Sequence, residues 1–171
     1  MKKQIVLGAF VFLFITNIIF ISTTVFYKTK IDEQVFKVYS FEAESTDIKI
    51  NDGLVIILPN KQIVNGGKMQ YVGNKQENIQ SYSKTIYLNK QGNKEIVLSN
   101  AVSVAGASDG TAFSDVFLLN KNIGEISSEK LFSPDDINII NDNLYFSLDY
   151  STINREKGNI TIKLNVKEFN C

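Results

Sequence analysis

The hydrophobic pattern of the chain changes once, and abruptly. Residues 5–27, IVLGAFVFLFITNIIFISTTVFY, contain no charged side chain, whereas from Val35 onward apolar and polar residues alternate. At 1.5 Å per residue the first segment reaches about 35 Å as a helix, enough to cross a hydrocarbon core of about 30 Å. Most of its positions are Ile, Val, Leu or Phe, whose transfer into lipid outweighs the amide of Asn17 and the scattered hydroxyls. The pattern predicts a transmembrane anchor over residues 1–30, a short linker over 31–35 and a separate domain over 36–170.

Alternation in that domain, punctuated by Asn, Asp and Gly, is the signature of antiparallel strands joined by tight turns. In the C-terminal pair, NLYFSLDYSTI (143–153) and NITIKLNVKEF (159–169) are joined by NREKG. Leu144, Phe146, Leu148 and Tyr150 form one inward set, and Ile160, Ile162, Leu164 and Val166 the other. Earlier hairpins are expected around Asn51-Asp52-Gly53, Asn65-Gly66-Gly67 and Lys90-Gln91-Gly92-Asn93, residues that tolerate positive φ. This spacing predicts an all-β fold, an antiparallel β-sandwich of immunoglobulin-like or related type; a closed barrel is the competing architecture.

Two stretches do not read as strand. In SPDDINII (133–140), Ser133 suits an N-cap, Pro134 the first helical position and the two acids the first turn, so a short helical turn is expected. The small, polar run SVAGASDGTAFSD (103–115) predicts a loop, and its Gly106, Ser108, Asp109, Gly110 and Asp115 are the candidate ligand loop, since binding residues concentrate on loops held by a rigid scaffold.

The first strand region, VYSFEAESTDIKI (38–50), together with the glycine-flanked stretch Gly66 to Gly73, resembles a group of Gram-positive secreted or membrane-anchored all-β proteins. Their first strand tends to read Phe-x-Gly-Glu-Ser-x-x-Trp; here Ala43 replaces the glycine and Ile48 the tryptophan. The resemblance implies an exported β-domain and supplies no activity.

Composition removes several chemistries. The chain has no histidine and a single cysteine, Cys171, which leaves no Ser-His or Cys-His dyad, no thiolate-imidazole zinc cage and no intrachain disulfide. Lys plus Arg and Asp plus Glu both number 18, and with Lys2 and Lys3 ahead of the apolar run the remainder is slightly acidic, the opposite of a nucleic-acid footprint. Arg155 is the one arginine among many lysines, and Asn and Ile are abundant, a usage typical of AT-rich bacterial genomes.

The remaining candidates each have a plainer reading. Glu42 and Glu44 share a strand face and could serve as a glycosidase pair, but catalytic carboxylates come from different strands and need unequal environments. With Asp47 nearby they read as a solvated face, with Phe41 and Ala43 inward. Asp135, Asp136, Asn138, Asn141, Asp142 and Asn143 offer oxygen ligands for calcium without the EF-hand spacing, and capping explains them. Ser108-Asp109 and Ser114-Asp115 lack a base, and Asn159-Ile160-Thr161 is a glycosylation sequon inside an expected strand. Tyr82, Tyr87, Tyr145, Phe146 and Tyr150 could stack a sugar, but inward packing accounts for them more simply.

A signal peptide competes with the anchor. Lys2 and Lys3 suit an n-region, yet there is no A-x-A-like site, and a cut after Ser22 would put Phe20 two positions upstream. Tyr27, Lys28 and Lys30 read instead as a membrane boundary. A pilin-like subunit is disfavoured because no acid occurs before Asp32. The expectation is a single-pass protein of a bacterial membrane, N-terminus inside, whose outer β-domain binds or assembles with an envelope protein or glycan. It is read as non-enzymatic, without catalytic, cofactor-binding or metal residues, without cofactor and without nucleic acid. The alternatives are a carboxylate-dependent glycan hydrolase, a calcium-dependent binder, or secretion after signal cleavage.

Overall fold

The computed structural model describes residues 2–32, 36–74, 78–103, 111–112 and 122–169. The chain divides into two units, Met1–Val35 and Phe36–Cys171. In the first, helix α1 (Lys2–Asp32) carries a stretch, Val11–Thr29, long and apolar enough to cross a membrane, none of it buried against protein. Its polar side chains turn back onto the helix. Thr16 Oγ1 and Asn17 Nδ2 donate to the Leu13 carbonyl at 2.9 and 2.8 Å, Thr23 to Ile19 at 2.6 Å and Thr29 to Val25 at 3.0 Å. Such back-bonding lowers the cost of placing these groups in a medium without water.

The second unit is two antiparallel sheets. One comprises β1 (Lys37–Glu44), β2 (Ile48–Leu58), β3 (Lys61–Asn65), β4 (Lys68–Tyr71), β8 (Glu125–Ser128) and β11 (Asn165–Phe169), in order β11-β1-β2-β3-β8 with β4 also on β2. The other comprises β5 (Asn78–Lys90), β6 (Asn93–Ser103), β7 (Thr111–Ala112), β9 (Leu144–Thr152) and β10 (Lys157–Lys163), in order β10-β9-β5-β6 with β7 on β5. Both sheets contribute to one apolar core: Tyr39, Phe41, Ile48 and Ile50 from the first, Ile86, Leu144, Phe146 and Leu148 from the second. The inward set expected on β9 is buried as read from its alternation.

Three turn signals resolve differently. Gln91 and Gly92 (φ 52° and 93°) close the β5–β6 hairpin, with Lys90 opposite Asn93, as expected. Asn51-Asp52-Gly53 makes no turn: β2 runs straight through it, and Glu42 of β1 faces both Asn51 and Asp52 in a bulge. Asp52 takes φ 61°, and any side chain on Gly53 would enter the ring of Phe41, its direct partner. The true β2–β3 turn is Pro59-Asn60, which places Leu58 opposite Lys61. Asn65-Gly66-Gly67 makes no hairpin either. There β3 gives way to β4, and both pair with β2, β3 with Leu54–Leu58 and β4 with Ile48–Asn51. A β-bulge needs the same positive-φ residues as a turn, so local sequence does not separate the two.

The expected final strand is also divided. Alternation runs unbroken from Asn159 to Lys167, yet β10 pairs with β9 while β11 pairs with β1, and the chain passes between sheets at buried Leu164, whose N–H donates to the Leu144 carbonyl at 2.9 Å.

Helix α2 (Pro134–Asn143) is longer than the expected turn and starts where the capping residues predict. The Asp136 amide donates to Ser133 Oγ at 3.3 Å and the Ser133 amide to Asp136 Oδ2 at 2.8 Å, a reciprocal capping box. Asp136 is also ion-paired with Lys90, which bridges to Glu95 on β6. Burial alone would raise the Asp136 pKa; the Lys90 ammonium and the Ser133 hydrogen bonds outweigh it and hold it below the ordinary 3.8. Just upstream, buried Gln62 of β3 accepts from the Leu131 and Phe132 amides, both at 2.6 Å, and donates to the Phe132 carbonyl at 3.1 Å.

Gly67, at φ 72°, lies against the backbone of Asn51 and Asp52, whereas Gly92 has open space. Gly67→Ala should therefore cost upwards of about 2 kcal/mol and Gly92→Ala about 1 kcal/mol in urea unfolding of the whole chain in detergent. Because the folded Asp136 carboxyl titrates below its unfolded value, its stabilisation is present above that value and fades as pH falls through the folded pKa. Asp136→Asn should then be clearly less stable than the native chain at about pH 7, with the difference shrinking as pH falls below the ordinary carboxylate range.

Candidate binding face

The residues of the candidate loop, Gly106, Ser108, Asp109, Gly110 and Asp115, lie outside the described residues, as do Ser114 and Cys171. Among the described residues no group of three or more His, Cys, Asp or Glu is placed to hold a metal. Glu42 is paired with Lys167 at 3.0 Å, Glu44 with Lys49 at 3.2 Å and Asp142 with Lys163 at 3.6 Å. Asn143 donates to the Ile139 carbonyl at 3.1 Å. Glu42, Glu44, Asp136 and Asp142 are thus engaged in separate contacts.

Of the aromatics, Phe146, Tyr82 and Tyr150 belong to the core, and burial pushes the Tyr82 phenol upward in pKa. Tyr87 stacks on Tyr145, centroids 5.8 Å apart, with the Lys94 ammonium 4.7 Å from the Tyr87 ring centre. Tyr87 is thus engaged by both Tyr145 and Lys94.

What the second sheet does assemble is an open groove along rows of short hydroxyl side chains, with Ala101 and Val102 also in its lining. On β5, Tyr82, Lys84 and Ile86 are buried, so the alternate residues Ser81, Ser83 and Thr85 project from the opposite face. Register sets them beside Ser151, Asp149 and Ser147 of β9 and beside Ser103, Ala101 and Ser99 of β6; on β10, Lys157, Asn159 and Thr161 continue the rows. The depression over Ser81, Ser83, Ala101, Ser103, Asp149, Ser151 and Lys157 has a volume of about 510 Å³.

Cross-strand hydrogen bonds fix these groups. Ser81 Oγ and Ser151 Oγ are 2.7 Å apart. Asp149 accepts on both oxygens, from Asn159 Nδ2 at 2.5 Å and Ser147 Oγ at 2.9 Å, while Asn159 Nδ2 also reaches Ser147 Oγ at 2.8 Å. Thr161 Oγ1 donates to Asn159 Oδ1 at 2.8 Å. The sequon asparagine is therefore part of this network. The surface offers oriented neutral donors and acceptors with one carboxylate and one ammonium, which suits a hydroxyl-rich ligand; with no histidine in the chain, it has no imidazole to activate a serine.

Sequence reasoning missed this face because its parts come from four strands. The signal that was present is the run of Ser and Thr at alternate positions 81, 83 and 85 and again at 147 and 151. Comparison of the chain with protein-family profiles, curated protein sequences and solved structures returned no match.

Ser81→Ala and Ser151→Ala should each cost about 0.5–1.5 kcal/mol. In a double-mutant cycle read by urea unfolding, the double variant should cost less than the sum, because the second substitution removes a group whose partner has already gone.

Proposed function

We propose that the protein is a single-pass, N-terminally anchored component of a bacterial envelope. Its two sheets form an immunoglobulin-like or related β-sandwich outside the membrane, which binds an envelope partner, foremost a glycan, through the groove over β6, β5, β9 and β10, without catalysing a reaction. The observation that carries this reading is a pairing: an unburied helix long enough to span a bilayer, and a separate β unit whose groove presents Ser81, Ser151 and Asp149, each held by cross-strand hydrogen bonds. A short N-terminal segment inside, with the large unit translocated, is the simplest topology for such an anchor.

The test is made on the full chain expressed in a bacterium. Mass spectrometry of the membrane fraction should find residues 5–27 intact and attached to the β unit, with no exported form beginning between Thr23 and Val25. Calorimetric titration of the detergent-solubilised chain with peptidoglycan fragments should show binding that Asp149→Ala weakens at least about tenfold. Turnover of any fragment would sink the non-enzymatic reading.

A further inference from the structure

The face of the first sheet turned away from the core changes character along its strands. Phe169, Val38, Ile56 and Ile63 stand in one cross-strand row on β11, β1, β2 and β3. Alternation assigns them to the outer face, since Tyr39, Ile57 and Val64 beside them are core. Leu58 follows on β2, and Phe36 immediately precedes β1. Phe36 and Phe169 are 55% and 54% exposed, and Val38, Ile56, Leu58 and Ile63 are half-buried without packing on the core. Beyond the bulge the same face carries Glu42, Glu44, Lys49 and Asn51.

The apolar positions share one end of the sheet: the start of β1, the end of β2, the start of β3 and the end of β11. That end is where the chain arrives from α1. Asp32 closes the helix and Phe36 opens the second unit, four peptide steps on, a reach of at most about 14 Å however the chain runs. Residues 28–32 add about 7.5 Å of helix beyond the apolar run, so Phe36 is held within about 22 Å of the hydrocarbon boundary, close enough to meet a headgroup layer about 5–8 Å deep. Exposed Lys61, opposite Leu58, adds a cation suited to lipid phosphate beside an apolar patch.

We propose that this apolar end lies on the phospholipid surface, with Phe36, Ile63 and Phe169 at the boundary between headgroups and acyl chains. The proposal rests on the anchored reading of α1. A second copy or a soluble partner would cover an apolar patch anywhere on the unit; a lipid surface requires it within reach of the helix, with polar residues farther along the strands. The contact would fix the tilt of the β unit on the membrane.

The chain has no tryptophan, so single replacements act as reporters. Ile63→Trp, Phe169→Trp, Glu44→Trp and, within α1, Phe20→Trp are each made in the full chain. Each is reconstituted into phosphatidylethanolamine–phosphatidylglycerol vesicles with and without brominated acyl chains. Bromine should remove about half or more of the emission at Phe20→Trp, Ile63→Trp and Phe169→Trp and leave Glu44→Trp unchanged. Phe169→Trp, at an exposed terminal position, keeps the test decisive if Ile63→Trp disturbs folding. Quenching at Phe20→Trp but not at Phe169→Trp would overturn the membrane contact and leave the anchor standing. If Phe169→Trp is instead shielded from aqueous acrylamide without being quenched by bromine, a protein surface covers the patch and the proposal fails. Absence of quenching at Phe20→Trp would refute the anchor, and this proposal with it.

Discussion

The first sheet depends on the bulge at Asn51-Asp52-Gly53. There the ring of Phe41 occupies the space a side chain on Gly53 would need, Asp52 adopts a left-handed backbone, and Gly67 closes onto the same backbone from the other side. This close approach lets β2 keep one neighbour, β1, along its length while changing the other from β3 to β4. The jog also places Gly66 and Gly67 where they exchange backbone hydrogen bonds with Ile123 and Gly124, at 3.0 and 2.8 Å, which brings the segment before β8 into the sheet. Without room at Gly53, Phe41 would leave the core and the register on both sides of β2 would be lost.

What was legible in the sequence was local. The Ser133-Pro134 start of α2 was readable because a cap involves neighbours in sequence, and β9 because four apolar residues at period two admit one inward face. The bulge was not readable, because Asn-Asp-Gly satisfies turn and bulge equally. Nor was the crossing at Leu164, where the change of sheet leaves the alternation undisturbed. The apolar outer face had a signal in Leu54-Val55-Ile56-Ile57-Leu58, a run without alternation inside a domain that otherwise alternates. Such a run marks a strand with apolar residues on both faces. The groove had a signal on each strand, the alternate Ser and Thr of 81–85 and Ser147 and Ser151, but not in their meeting, since Ser81 and Ser151 come together only through pairing across 70 residues.

The β unit thus carries two unlike exposed faces on one core. One is hydroxyl-rich and held by cross-strand hydrogen bonds; the other is apolar at one end and charged at the opposite end. Lys90 ties elements behind the first of these faces, joining the β5–β6 hairpin to the cap of α2 through Glu95 and Asp136. Gln62 ties the same helix's approach to β3 in the other sheet. Both ties are polar, and they add to the apolar anchoring of the same segment by Phe132 and Ile140.

The position of β1 has a mechanical consequence. Any load transmitted along the chain from α1 enters at Lys37 and runs along β1, which is flanked by β11 on one side and β2 on the other. A pull along that strand loads both hydrogen-bonded ladders in shear, so several bonds must yield together, whereas an edge strand peeled sideways would lose them one at a time. The interior position of β1 makes the strand that follows α1 harder to draw out than an edge strand.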